Sequence, residues 1–190
     1  SALILAGGAS KRMGRDKATI IVDGVAMVVR VAHALKSAGY SRILVSVRDG
    51  FQRQELGGIL SHLSGVEFIL DQSVERGTLP ALYSSMKYCE ANGIDEIQLA
   101  PCDLPWISPD VFLRLKEKKV RRLAMPRSSR LEPMLALVEV SYLIDAFDSA
   151  PRNTALQSIM RRIPHQIVSM SDLGNDCFKN VNRHTDLMQT

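Results

Sequence analysis

The chain has 190 residues, 46% hydrophobic but only 5% aromatic, enough for one domain with a core built from aliphatic side chains. The net charge is +4 and the basic residues are scattered, which suits a protein that handles polyphosphates and argues against a nucleic-acid partner. No apolar run is long enough to cross a bilayer, so no membrane span is expected; three cysteines without CxxC spacing (Cys89, Cys102 and Cys177) suit a reducing cytoplasm.

In chain order, Ala2–Ala6 is a short apolar run that ends in glycines. It predicts a strand rather than a signal peptide, because no basic stretch precedes it. Ser at position 1 implies loss of an initiator Met or a tag. The β-branched run Ala18–Val22 predicts a strand closed by an Asp23-Gly24 turn. Ala26–Ala38 carries apolar residues at helical spacing, with Gly39 as its stop. Arg42–Val47 and Val66–Leu70 are strands, the second ending at Asp71. Thr78–Cys89 is helical, and Glu96–Ala100 is a strand that runs into Pro101-Cys102-Asp103. Ser108-Pro109-Asp110 opens a helix, with Ser as N-cap and Pro at the first helical position. Arg122–Met125 and Met134–Val138 predict strands, Tyr142–Phe147 and Ala155–Arg161 helices, and His165–Val168 a last strand. The basic cluster Lys116, Lys118, Lys119, Arg121 and Arg122 reads as a solvated helix end.

Strands alternating with helices imply βαβ units and a mainly parallel sheet covered on both faces. No repeat or linker divides the chain, so one α/β domain over residues 1–190 is expected. Ligands in such folds sit at the carboxyl ends of the strands, and the polar clusters fall there: after Ala6, at Asp71 and at Asp103.

The segment Leu5-Ala6-Gly7-Gly8-Ala9-Ser10-Lys11-Arg12-Met13-Gly14-Arg15-Asp16-Lys17 is the most informative. Adjacent glycines after a strand let backbone N–H groups approach a phosphate. Arg12 can grip phosphate oxygens with its fork, and Lys17 can act as a point charge. The string is neither GxGxxG nor GxxxxGK[ST], which disfavours a dehydrogenase or a P-loop ATPase. Asp103 at a strand tip suits Mg²⁺, although an Asp can equally cap the turn before Pro105. Asp71 could instead make an Asx turn. Asn182 could ligate a metal through its amide oxygen or cap the turn that follows it. Cys102 has no evident partner for nucleophilic catalysis, and His33, His62, His165 and His184 lack metal-ligand spacing.

The string L-A-G-G-x-S-x-R-M-G-x-D-K resembles the amino-terminal signature of the MobA-type molybdenum cofactor guanylyltransferases, within the nucleotidyltransferase superfamily. Four further blocks follow in the family's order. Asp71 with Gly77-Thr78-Leu79 resembles D-x(5)-G-P-L, with Thr where Pro is usual. Pro101-Cys102-Asp103-Leu104-Pro105 resembles P-C-D-x-P, Glu132-Pro133-Met134-Leu135-Ala136-Leu137 resembles E-P-L-F-A-L, and Asn180-Val181-Asn182 resembles N-[IV]-N. The resemblance implies a Rossmann-like three-layer α/β/α fold of the nucleotide-diphospho-sugar transferase type. It also implies transfer of GMP from GTP to the phosphate of Mo-molybdopterin, giving molybdopterin guanine dinucleotide and pyrophosphate. By the same resemblance the partners downstream are molybdoenzyme apoproteins or cofactor-delivery proteins.

Carried over residue by residue, the resemblance makes Arg12, Lys17 and Asp103 catalytic. It places Leu5, Ala6, Gly7, Gly8, Lys17, Asp71 and Asp103 on GTP, and Asp103 with Asn182 on Mg²⁺. Arg130 and Glu132 fall on the acceptor side, where Glu132 could also be structural. The family's S-A-N-R, whose Asn contacts the base, is matched by Ser46-Val47-Arg48, with Val47 in the Asn position. Main-chain groups of Leu5, Ala6 and Gly7 are then the candidate base readers, with GTP expected over ATP by about one to two decades and Val47→Asn expected to sharpen that preference. The alternatives are a sister transferase using CTP, one using an NTP and a small phosphorylated acceptor, and a catalytically silent nucleotide-binding regulator.

Overall fold

The computed structural model describes residues 1–7, 16–73, 77–181 and 186. Among them the chain runs β1 (Ala2–Leu5), a 3₁₀ turn (Lys17–Thr19), β2 (Ile21–Val22), β3 (Val25–Ala26), α1 (Met27–Ser37), β4 (Ile43–Val47), α2 (Gly50–Ile59), β5 (Val66–Leu70), α3 (Thr78–Ala91) and β6 (Glu96–Pro101). It continues through α4 (Pro109–Lys118), β7 (Leu123–Arg127), a 3₁₀ turn (Pro133–Leu135), β8 (Leu137–Glu139), α5 (Val140–Asp148), α6 (Leu156–Met160), β9 (His165–Ser169) and a last 3₁₀ turn (Asn175–Phe178).

Seven strands form one sheet in the order β5-β4-β1-β6-β8-β7-β9. Only β8 runs against the rest, pairing antiparallel with both β6 and β7. Side chains alternate across β1. Ala2 and Ile4 pack into a core with α1, Leu56 of α2, and Val111 and Phe112 of α4. Leu3 and Leu5 face the opposite way, into a core with Leu82 and Met86 of α3, Leu143 of α5 and Ile159 of α6. The result is the three-layer α/β/α arrangement expected, with each fully buried Leu worth about 1.5–3 kcal/mol.

The strand of Ala18–Val22 is shorter than expected. Residues 17–19 form a 3₁₀ turn, and Asp23 (φ 49°) and Gly24 (φ 79°) join β2 to β3. Two successive positive φ values make this a two-residue type I′ hairpin, for which Asp-Gly is a favoured pair. Met134 belongs to a 3₁₀ turn rather than a strand, since Pro133 opens that turn. The basic cluster is also more engaged than a solvated end. Lys119 pairs with Glu96 at 2.6 Å and Glu139 at 3.4 Å, Arg122 pairs with Glu139 at 2.9 Å, and Lys116 donates to the Ala38 carbonyl at 2.8 Å above the Tyr40 ring.

Gly65 sits at φ +71°, and a Cβ added there would lie 2.2 Å from the Ser41 carbonyl oxygen. Both the conformation and the clash act on backbone that cannot move without breaking the Ile43 N–H bond to the Gly65 carbonyl (2.8 Å). Gly65→Ala should therefore lose about 2–4 kcal/mol. Urea denaturation with an unchanged m-value checks this, and a loss under about 0.5 kcal/mol would show that the turn relaxes freely.

Candidate active site

β1 lies between β4 and β6 in the sheet, and the chain leaves β1 for β4 on one side before returning to β6 on the other. This is the topological switch point, where a crevice opens beyond the carboxyl ends of the strands. The register pairs Leu5 with Pro101, so the segments that follow, Ala6-Gly7 and Cys102-Asp103, leave the sheet side by side. Here lies a cleft of about 590 Å³ lined by Leu5, Ala6, Gly7, Lys17 and Asp103, among others.

Lys17 and Asp103 meet in this cleft, with Nζ 3.6 Å from Oδ2. Asp16 sets the lysine's position. Its Oδ1 accepts from the Ala18 N–H (2.9 Å), and its carbonyl accepts from the Thr19 N–H (3.2 Å) and hydroxyl (3.0 Å). Burial raises the Asp103 carboxyl above its usual range, and the Lys17 ammonium offsets part of that rise. The Asp103 loop is held from two sides. Arg30 on α1 donates to the carbonyls of Pro105 (2.7 Å) and Val22 (3.2 Å). Val181 N–H donates to the Asp103 carbonyl (3.0 Å). Burial first, and then the nearby Asp103 and Asp16 charges, push the Cys102 thiol up, which disfavours its thiolate.

The far wall comes from the segment carrying Arg130 and Glu132, both of which line the cleft. Glu132 Oε1 accepts from Arg130 Nε (3.0 Å) and the Ser128 hydroxyl (3.2 Å). The buried amide of Gln98 anchors this wall to β6, donating to the carbonyl of Leu135 (2.7 Å). Asn180, Gln157 and Thr78 also line the cleft; Thr78 and Asn180 lay in matched blocks but were given no role from sequence, and Gln157 was not noticed. The signal for Asn180 lay in the Asn-Val-Asn motif itself. Val181 is fully buried with Ile20, Val22 and Met27, while Asn180 faces the cleft.

Gly8, Arg12 and Asn182 lie outside the described residues. Asp71 sits at the tip of β5, two strands from β1, and is not among the cleft-lining residues. Its Oδ1 accepts from the Ser73 N–H (2.9 Å) and hydroxyl (2.6 Å), which is the Asx-turn geometry. Val47 is fully buried in the α1-side core and cannot face a base; the residue that reaches the tip of β4 is Arg48. Val47→Asn would bury an amide among aliphatic side chains and so cost stability instead of sharpening base choice. Ala6 has little left to offer a base, since its N–H donates to the Ser46 carbonyl (3.0 Å) and its carbonyl accepts from Gln52 Nε2 (2.9 Å). Gly7 lies close to β4, where an added Cβ would come within 3.4 Å of Arg48 N.

Among the described residues no group of three or more His, Cys, Asp or Glu side chains could hold a metal. Those residues therefore build no zinc-type site. Mg²⁺ is different, because it takes one or two carboxylates and completes its shell with substrate phosphates and water. Asp103, a mostly buried carboxyl on the cleft wall, fits that role.

The profile of the MobA-like NTP transferase domain matches residues 2–167. The chain belongs to this family. Among MobA-like relatives, a probable molybdenum cofactor guanylyltransferase of Opitutus terrae is 30% identical over 145 residues, covering 75% of this chain and 68% of that one. Another, from Geobacillus, is 24% identical over 193 aligned residues, covering 95% of this chain and 92% of the relative. The crystal structure of molybdopterin-guanine dinucleotide biosynthesis protein A from Archaeoglobus fulgidus superposes with a TM-score of 0.74 at 21% identity, covering 98% of this chain and 94% of that one. That likeness establishes the shared MobA-like fold.

Proposed function

We propose that this MobA-like transferase moves GMP from GTP to the phosphate of Mo-molybdopterin, with Mg²⁺ held on Asp103. The observation that carries this reading is the Lys17–Asp103 pair, brought to 3.6 Å at the switch point of the sheet. A cation beside a hard carboxylate in a cleft at strand tips is what a nucleoside triphosphate with its metal requires. The names of the relatives support guanine and a molybdopterin acceptor.

An oxygen of the acceptor phosphate attacks the α-phosphorus of GTP in line; the bond from the α-phosphorus to the bridging oxygen breaks, and pyrophosphate leaves. A phosphate monoester is already anionic near neutral pH, so no side chain need remove a proton. Lys17 neutralises charge on the triphosphate, and the Gly7 N–H can reach a phosphate or base because no Cβ shields it. When bound, Mg²⁺ would neutralise charge on the phosphates and orient them. Glu132, Arg130 and Gln157 supply polar groups on the acceptor wall.

This chemistry belongs in a reducing cytoplasm, and Cys89, Cys102 and Cys177 are all free thiols. Among the described residues no helix is long and apolar enough to cross a membrane.

Base choice provides the test. With both main-chain groups of Ala6 engaged, Gly7 carries most of the main-chain discrimination, and GTP should bind about tenfold tighter than ATP, the scale of one hydrogen bond. Pyrophosphate release would be assayed with GTP, CTP and ATP, each with molybdopterin acceptor and with Mg²⁺ or EDTA. Turnover with GTP and Mg²⁺ supports the proposal. Preferred use of CTP would transfer the chain to the sister branch, and GTP binding without turnover would make it a silent regulator.

A further inference from the structure

α2 is polar on most of its surface, and only two of its residues, Gln52 and Leu56, are buried. Gln52 is 1% exposed, so its amide must find partners within the protein. Its Oε1 accepts from the Arg48 N–H at the tip of β4 (2.7 Å). Its Nε2 donates twice, to the Ala6 carbonyl (2.9 Å) and to Oδ2 of Asp16. Both donor hydrogens are thus in use. Asp49 fixes the main chain beneath this group by accepting from the Gln52 N–H (2.8 Å), and Arg48 lies 3.8 Å from the same Asp16 oxygen.

Residues 6 and 16 stand on either side of the glycine-rich stretch in sequence, and both are bonded to one nitrogen. Asp16 also caps the turn that sets Lys17 toward Asp103. An apolar side chain at position 52 would fill the space but take the amide's hydrogen bonds from the Ala6 carbonyl and the Arg48 N–H, and leave Asp16 Oδ2 with the longer Arg48 contact. We infer that Gln52 is a positioning residue for the triphosphate: its amide locks the end of β1, the tip of β4 and the Lys17 turn into one frame. The inference rests on the proposed reading that this cleft binds an NTP.

Gln52→Glu tests it by exchanging essentially one atom. The acceptor toward Arg48 remains, while the double donor becomes an oxygen facing the Ala6 carbonyl and the Asp16 carboxylate. NTP affinity should fall about 10–100-fold, the scale of two misplaced buried hydrogen bonds, with the KM for the acceptor within about threefold of wild type. Adding Asp16→Asn should restore part of the lost affinity, because the amide donor then sits on the other partner, whereas Asp16→Asn alone should weaken binding. A double-mutant cycle reads that coupling. Gln52→Met, close in length and uncharged, repeats the test if the charged variant folds poorly; thermal melts qualify each variant.

The titration uses whichever NTP the wild type binds, so a wrong base assignment does not decide it. Unchanged NTP affinity in a folded Gln52 variant, equal losses for NTP and acceptor, or strictly additive effects in the cycle would overturn the inference. A wild type that binds no NTP would overturn the functional reading and this inference together.

Discussion

Asp103→Asn should lower turnover by about a thousandfold, because a preorganised charge at the reacting phosphates is worth several kcal/mol of transition-state stabilisation. The same variant should melt at or slightly above the wild-type temperature at neutral pH. Burial raises the Asp103 carboxyl above its ordinary 3.8, so the folded state disfavours its charge. A carboxyl shifted upward by folding costs nothing below its unfolded pKa, and the cost grows as pH rises through the folded value. At neutral pH the wild type bears that cost and the amide does not. The Lys17 ion pair that is lost is a quarter exposed and is worth no more than about 1 kcal/mol. The melting advantage of Asp103→Asn should therefore shrink between pH 7.5 and pH 4. Activity within a few-fold of wild type would remove Asp103 from the chemistry, and a drop of many degrees in melting temperature would make it a structural cap of the Pro105 turn.

Sequence patterns revealed the parts of this fold whose burial is strongly periodic or complete. β1 and β4 are nearly continuous apolar runs because both faces of the sheet are covered by helices. α1 buries Met27, Val28, Val31, Ala32 and Leu35, a spacing visible before any coordinates. The start of α4 was equally plain, since Ser108 caps it by accepting from the Asp110 N–H. α2 went unseen for the opposite reason: its two buried residues are a polar amide and one leucine, and Gly57-Gly58 weakens the pattern further. A signal did exist in Asp49 and Gln52, spaced as a capping pair, and the structure uses the first half of it.

The site divides along the same line. Lys17 and Asp103 were legible because each follows a strand within a recognisable string, and strand order places those strings together. Gln52 was not, because its importance comes from partners 46 and 36 residues away rather than from its neighbours in sequence. Val47 matched the family's base-contacting Asn in the string, but a motif match does not say which face of β4 a residue takes, and alternation turns Val47 into the α1-side core. The reversal of β8 is another such case, since a three-residue strand carries no mark of its direction.

Lys17→Ala should weaken GTP binding by about 10–100-fold while leaving the fold intact, as expected when a cation facing a polyphosphate in a partly desolvated cleft is removed. Two roles compete for this residue. As a phosphate ligand, Lys17 contributes to affinity; as the counter-charge of Asp103, it contributes to stability by lowering that carboxyl's upward shift. The two separate in an Asp103→Asn background, where no carboxylate charge is left to neutralise. If Lys17 serves the triphosphate, Lys17→Ala still weakens nucleotide binding there, and isothermal titration at rising ionic strength should show the difference between Lys and Ala shrinking. If it serves only Asp103, the affinity difference disappears in that background and the single variant shows its loss in the melting temperature. The short capped turn favours the first outcome. Asp16 holds Lys17 through main-chain bonds that do not depend on Asp103, so the ammonium stays at the cleft in either background.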